Sequence, residues 1–341
     1  MTEIVKELIA EWPTIALLGM MAISILVLGK AADWLVEEAV NLSLRSEMPR
    51  VVVGATVVSV GTTTPEAAVS VMAALSGNPG MALGNSVGSI ICDTGLILGL
   101  ACLWRPLPLD RRLVNRQGWV QFGCGVLLVL CCVPWTNPSI TFRDGGRLPQ
   151  VAGFAFLILL GIYMAWSVRL ARTAAQQEDE PANVSQQGIL FSVLRLLLAV
   201  MIVLVSCSLL IASAQIVAER WQVPDGIIAA TIVAFGTSLP ELIIVLTATA
   251  KGQGELAVGN VIGADILNVL FVAGAAAAAT PVGLAADKYF FAIQFPAMLV
   301  VLLVFRIGIW QAADNKLSRP FGVVLLATYV VYTIVSYAAL P

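Results

Sequence analysis

One stretch of the chain occurs twice, and both copies set polar groups inside long apolar runs. Gly54-Ala-Thr-Val-Val-Ser-Val-Gly-Thr-Thr-Thr-Pro-Glu66 returns as Ala229-Ala-Thr-Ile-Val-Ala-Phe-Gly-Thr-Ser-Leu-Pro-Glu241. An offset of 175 takes Thr56 to Thr231, Gly61 to Gly236, Pro65 to Pro240 and Glu66 to Glu241. It then takes Gly77 to Gly252, Gly84-Asn85 to Gly259-Asn260, Gly88 to Gly263 and Gly99 to Gly274, with Pro49 mapping upstream onto Pro224. No gap interrupts the correspondence, so the chain divides into two homologous halves, 1–175 and 176–341.

The solvent for these halves is lipid. At 59% hydrophobic and 12% charged residues, the chain lacks the polar surface to cover itself in water. Apolar segments long enough to span fall near 14–40, 50–75, 81–104, 117–134, 150–169, 189–217, 226–250, 256–279, 289–310 and 320–340. Five spans per half is an odd number, so the second half enters the membrane from the opposite side. The expected fold is therefore an all-α polytopic membrane protein, ten transmembrane helices arranged as two inverted five-helix repeats, the build of many secondary transporters. Thirteen of the nineteen Lys and Arg residues fall on the face of the odd-numbered loops, which places that face in the cytoplasm and both termini outside.

Composition also excludes. A net charge of −2 leaves no footprint for nucleic acid. The six cysteines lie in apolar segments without metal spacing and read as small buried residues. With no histidine, any proton chemistry near neutral pH falls to carboxylates. There is no nucleophile–base pair, zinc set or phosphate loop, so neither an enzyme nor a cofactor is expected.

Inside hydrocarbon a proline removes a ladder bond, and irregular backbone survives only where protein or a wet cavity surrounds it. Residues 62–66 and 237–241 are each expected to interrupt a helix. Freed carbonyls and hydroxyls would become oxygen ligands and the glutamates would supply charge, a donor set suited to hard cations. A plainer reading exists: Thr63-Thr-Pro-Glu66 and Ser238-Leu-Pro-Glu241 both fit the S/T-x-x-E capping box. The depth weighs against capping alone, because a carboxylate at mid-membrane costs about 3 kcal/mol or more uncompensated. Downstream, Asn85, Ser89 and Asp93 step by four along one helix face, and the same positions in the second half are Asn260, Ala264 and Asn268. Asp265 falls three before Asn268. The paired glycines Gly84, Gly88, Gly259 and Gly263 permit close helix approach, with packing alone as a sufficient reason.

These motifs resemble the cation/calcium exchanger superfamily, and within it the sodium/calcium exchanger branch of prokaryotic type. The resemblance rests on Gly61-Thr-Thr-Thr-Pro-Glu66 with Gly84-Asn-Ser-Val-Gly-Ser89, and on Gly236-Thr-Ser-Leu-Pro-Glu241 with Gly259-Asn-Val-Ile-Gly263. It implies a midplane cage where Na⁺ and Ca²⁺ compete for oxygen ligands, alternating-access antiport, and an inner-membrane location. By position the ion ligands fall on Thr62, Thr63, Glu66, Ser89, Asp93, Thr237, Ser238, Glu241 and Asn268, with Ala264 in place of a family serine. Asp265 stands where the family has asparagine, as a further acid at the cage. The acid expected at Asn268 is found instead at Asp93, a swap that bears on ion selectivity. The implied partners are Ca²⁺, Na⁺ and the lipid bilayer, with a monomer as the working assembly. Proton- or K⁺-coupled exchange of Ca²⁺ or another divalent cation, and a passive cation channel, are the alternatives. A channel's flux would persist without a counter-ion, and an exchanger's would collapse.

Overall fold

A computed structural model describes residues 2–138, 141–175, 189–222 and 236–338. The first part of the second motif, residues 229–235 with Thr231, lies outside them, as does most of the 171–188 linker. Eleven helices organise the described chain: α1 (Thr2–Ile9), α2 (Thr14–Ser46), α3 (residues 50–75), α4 (Pro79–Trp104), α5 (Arg111–Cys132), α6 (Gln150–Ala175), α7 (Ile189–Arg220), α8 (Leu239–Ala250), α9 (Gly254–Ala279), α10 (Phe290–Gln311) and α11 (Arg319–Ala338). Seven of them, α2, α4, α6, α7, α9, α10 and α11, contain stretches long and apolar enough to cross a membrane. The polar motif dilutes α3, an arginine-rich first turn dilutes α5, and residues 223–235, ahead of α8, are not described.

Burial separates an inner group from a lipid-facing one. The apolar windows of α4 and α9 are 78% and 83% buried, against 11% for α11. Every residue from Leu256 to Leu267 is buried, polar Asn260 and Asp265 included, so this stretch is enclosed by protein on all sides. α9 crosses α3 at backbone contact. A Cβ on Gly263 would lie 2.5 Å from the Ala55 backbone, and one on Gly54 would lie 2.6 Å from the Leu256 carbonyl. Close packing therefore accounts for Gly259 and Gly263. Residues 226–234, which the 175-residue offset matches to 51–59, lie outside the described residues.

α2 and α7 run along one another as a pair. Lys6–Glu219 (2.6 Å) and Arg220 to Thr14 tie one end together through α1, and Arg195–Glu38 (3.2 Å) with Arg45 to Ser192 tie the other. Lys251 joins the pair to the inner group through Asp33 (3.3 Å) and Glu37 (2.8 Å) on α2.

Where the halves can be compared, local backbone repeats. α3 and α8 both end in a Gly turn, with left-handed Gly77 (φ 84°) and Gly252 (φ 73°). The next amide reaches back in both: Asn78 N to Ala73 O at 2.8 Å and Gln253 N to Ala248 O at 2.7 Å. Two short antiparallel ribbons link the halves. β1 (Leu107–Pro108), between α4 and α5, pairs with β4 (Lys316–Leu317), between α10 and α11. β2 (Gly146–Leu148), between α5 and α6, pairs with β3 (Leu284–Ala286), between α9 and α10.

Candidate functional site

The first motif departs from expectation. Residues 62–66 do not interrupt a helix: Ser59–Leu75 is one α-helical stretch with Pro65 inside it. A lone proline removes one ladder bond, here the one to the Gly61 carbonyl, which the bonded turns on either side tolerate. The irregularity lies one turn upstream, as a π turn over Gly54–Val58. In the second half a break does occur. Thr237 and Ser238 form a turn and α8 begins at Leu239, with Pro240 in the first turn where its missing N–H costs nothing. Ser238 makes no side-chain cap bond there, so its hydroxyl is free for other work.

α4 and α9 carry a matched irregularity. Each widens into a π turn, Cys92–Ile97 and Asn268–Ala273. Asp93 and Asn268 therefore sit on widened turns and not on a regular four-residue face. Such turns place side chains that a uniform α-helix would rotate away, and they concentrate at functional sites.

These elements bring acids from both halves together. Glu66, Asp93, Glu241 and Asp265 are each at most 2% exposed. Glu66 is within electrostatic reach of Glu241 and Asp93, and Asp93 of Glu241 and Asp265. The Thr62 hydroxyl lies beside the Glu241 carboxylate and the Ser238 hydroxyl beside that of Asp93. Thr63, Ser89 and Asn268 are buried in the elements that carry these groups, and Thr237 is half-buried.

Charge makes the arrangement unusual. None of the four carboxylates pairs with Lys or Arg among the described residues. Glu66 Oε2, Glu241 Oε2, Asp93 Oδ1, Asp265 Oδ1, Thr63 Oγ1 and both side-chain atoms of Asn268 have no hydrogen-bond partner there. Buried charge of one sign without partners is strongly unfavourable, and bound cations relieve it. The donors are all oxygens, which suits hard cations such as Na⁺ and Ca²⁺. No three His, Cys, Asp or Glu side chains among the described residues converge as a metal cluster. An ion here would thus need hydroxyl, amide or backbone oxygens as well, and those are what the motifs supply.

Several polar residues at the site escaped the sequence reading. Gln121 on α5 donates to Asp265 Oδ2 (2.5 Å), as does the hydroxyl of Thr94. Ser59 on α3 donates to the Asn260 carbonyl (3.0 Å), and Ser86 donates to that of Asn268. Asn85, on the expected polar face, donates to Ser70 Oγ (3.0 Å). One cue was available for α5: Gln117 and Gln121 are four apart in an apolar span and share an inward face, both at most 2% exposed. The cysteines are all free, and all but the half-buried Cys131 are buried, as their apolar surroundings suggested.

A profile of the sodium/calcium exchanger protein family matches residues 16–169 and, separately, 191–338. The inner membrane protein YrbG of Escherichia coli is 30% identical over 330 residues, covering 95% of this chain and 97% of its own length. The sodium/calcium exchanger MaX1 of Methanosarcina acetivorans is 26% identical over 348 residues, covering 93% and 97%. A solved structure of the sodium–calcium exchanger NCX_Mj, soaked with 10 mM Na⁺ and no Ca²⁺, matches with a TM-score of 0.80 at 26% identity, covering 96% of this chain and 100% of the other.

Proposed function

The chain belongs to the sodium/calcium exchanger family and serves Na⁺/Ca²⁺ antiport, and from that premise we propose an alternating-access mechanism centred on the carboxylate cluster. The observation that carries the proposal is the meeting of Glu66 and Glu241, one from each half, buried with unpartnered oxygens and with no ion pair to a basic residue among the described residues. Thr62, Thr63, Glu66, Ser89 and Asp93 from the first half, with Thr237, Ser238, Glu241 and Asn268 from the second, supply the ion ligands. Asp265 borders this set. Calcium and sodium are cargo, and no resident cofactor or chemical turnover is involved.

An empty, charged cage is too costly to carry through low dielectric, so the two access states interchange only when cations neutralise it. That rule couples the two fluxes. The α2–α7 pair, tied together at both ends, moves against the inner group to expose one side at a time.

Ten spans in two inverted repeats, 1–175 and 176–341, are the topology in which this cage forms. Two observations support it. Each half matches the family profile by itself. The ribbons also join the third connection to the ninth and the fourth to the eighth, so exchanging the halves turns one ribbon into the other. The basic residues place the odd loops in the cytoplasm and both termini outside. Relatives in Escherichia coli and Methanosarcina acetivorans support a prokaryotic cytoplasmic membrane, and a monomer contains the whole cage.

The test is ⁴⁵Ca²⁺ uptake in proteoliposomes under separate Na⁺, K⁺ and H⁺ gradients. Uptake should follow the Na⁺ gradient and collapse without it. Uptake driven by a pH gradient in the absence of Na⁺ would replace sodium by protons, and flux without any counter-ion would make the protein a channel.

A further inference from the structure

Asp265 is a buried carboxylate whose two oxygens face different surroundings. Oδ2 accepts hydrogen bonds from Thr94 Oγ1 on α4 and from Gln121 Nε2 on α5 (2.5 Å), and that amide also lies 3.3 Å from Thr94 Oγ1. Three helices, α4, α5 and α9, meet at this one oxygen. Thr94 and Gln121 are both at most 2% exposed, so no water competes for the bonds.

The place of this knot matters. Thr94 follows Asp93 directly, and both lie on the π turn Cys92–Ile97. A π turn is rare and occurs mostly as a single bulge inside an α-helix, frequently at functional sites. The knot is also one-sided. The 175-residue offset takes Asp265 back to Ile90 and Thr94 forward to Val269, both apolar, so no such clamp can form beside Asn268. The half that carries the acid at the turn is the half whose turn is tied down.

We infer that Asp265 is a positioning residue, acting through Thr94 and Gln121 to hold the π turn that aims the Asp93 carboxylate into the cage. The inference rests on the ion-cage reading above and assigns the roles of three residues around it. What the clamp requires of residue 265 is an acceptor oxygen facing Thr94 and Gln121. Its full charge is not required, and this separates positioning from direct ligation.

The experiment measures the half-saturating Ca²⁺ concentration and the maximal rate of Na⁺-driven ⁴⁵Ca²⁺ uptake for D265A, D265N, T94V and Q121L, with folding checked by size exclusion. D265A, T94V and Q121L should each raise half-saturation about tenfold, the range of support residues around ion ligands, and hold the maximal rate within about threefold. D265N keeps a carbonyl acceptor and should raise half-saturation clearly less than D265A does. A D265A/T94V double variant should be no worse than D265A alone, because D265A already removes the acceptor that Thr94 uses.

A D265N protein whose half-saturation rises as far as that of D265A would overturn the inference and make Asp265 a direct ligand. Wild-type behaviour in T94V and Q121L would overturn it equally. If wild-type protein shows no Na⁺-driven uptake, the antiport reading fails on its own. The clamp is then read from the Ca²⁺-induced rise in melting temperature, which should survive in D265N and shrink in D265A and T94V. Any other order rejects it.

Discussion

Asp93 and Asn268 hold equivalent places in the two halves, each at the start of a π turn in a buried helix, yet they differ in charge and company. Asp93 has the Ser238 hydroxyl beside it and the Thr94–Asp265–Gln121 knot behind it. Asn268 receives Ser86 on its backbone carbonyl and leaves its side chain without a partner among the described residues. The duplicated backbone provides two matched sockets, and individual side chains decide which one carries the charge. Symmetry here belongs to helix geometry and turns, and asymmetry to the chemistry built on them.

The most severe test of that contrast removes charge where the halves agree. Glu66→Gln and Glu241→Gln should each lower ⁴⁵Ca²⁺ uptake by about a hundredfold or more, near 2.8 kcal/mol at about 1.4 kcal/mol per decade. Equal losses are expected, and a wild-type rate in either variant would remove that residue from the cage.

Charge can next be moved between the sockets. On the proposed cage, Asp93→Asn should cut uptake by about tenfold to a hundredfold, the scale on which changes around a bound metal act. Adding Asn268→Asp should recover part of the loss and not all of it, because Val269 and Ile90 provide no clamp on that side. Complete recovery would mean that total charge alone matters.

A packing difference follows. Gly263→Ala puts a methyl group 2.5 Å from the Ala55 backbone, and should lower stability by about 1–3 kcal/mol in thermal unfolding. Gly84, whose closest described neighbour would be Phe290 at 3.8 Å from an added Cβ, should accept alanine at smaller cost. Equal losses at the two positions would contradict this packing difference.

The mildest effect belongs to Lys251, which ties α8 to Asp33 and Glu37 on α2, where the offset places Ser76 in the first half. The hydrogen bond to Glu37 comes first among the causes that raise the Lys251 pKa, with Asp33 adding to it. A raised basic group stabilises the fold fully below its unfolded pKa, about 10.4, and the contribution fades as pH rises through the higher folded value. Lys251→Met should therefore cost a few tenths of a kcal/mol at neutral pH, less in high salt, and nothing in strong alkali. A gap in melting temperature that widened toward alkaline pH would contradict this assignment.

Much of this arrangement can be read from residue order. Glu66 and Glu241 announce themselves because a carboxylate beside a proline in an apolar run has few uses. Gly77 and Gly252 mark their turns because a left-handed residue at a helix end favours glycine. Pro65 misleads, since the cost of a proline depends on what its neighbours can still bond, and those neighbours keep the helix whole. Gln121 and Thr94 are nearly invisible, because an isolated amide or hydroxyl in a span says nothing of a partner 144 or 171 residues away.

The sequence by itself determined what needs only local chemistry and counting: a lipid solvent, a duplicated unit, paired acids and the glycine turns. Tertiary structure decided where the helices widen into π turns, that α3 stays unbroken, and which oxygen of Asp265 is engaged. These depend on contacts between α4, α5 and α9, segments far apart along the chain. Local preference cannot encode them, because the energy of a buried polar group is set by whatever the fold brings against it.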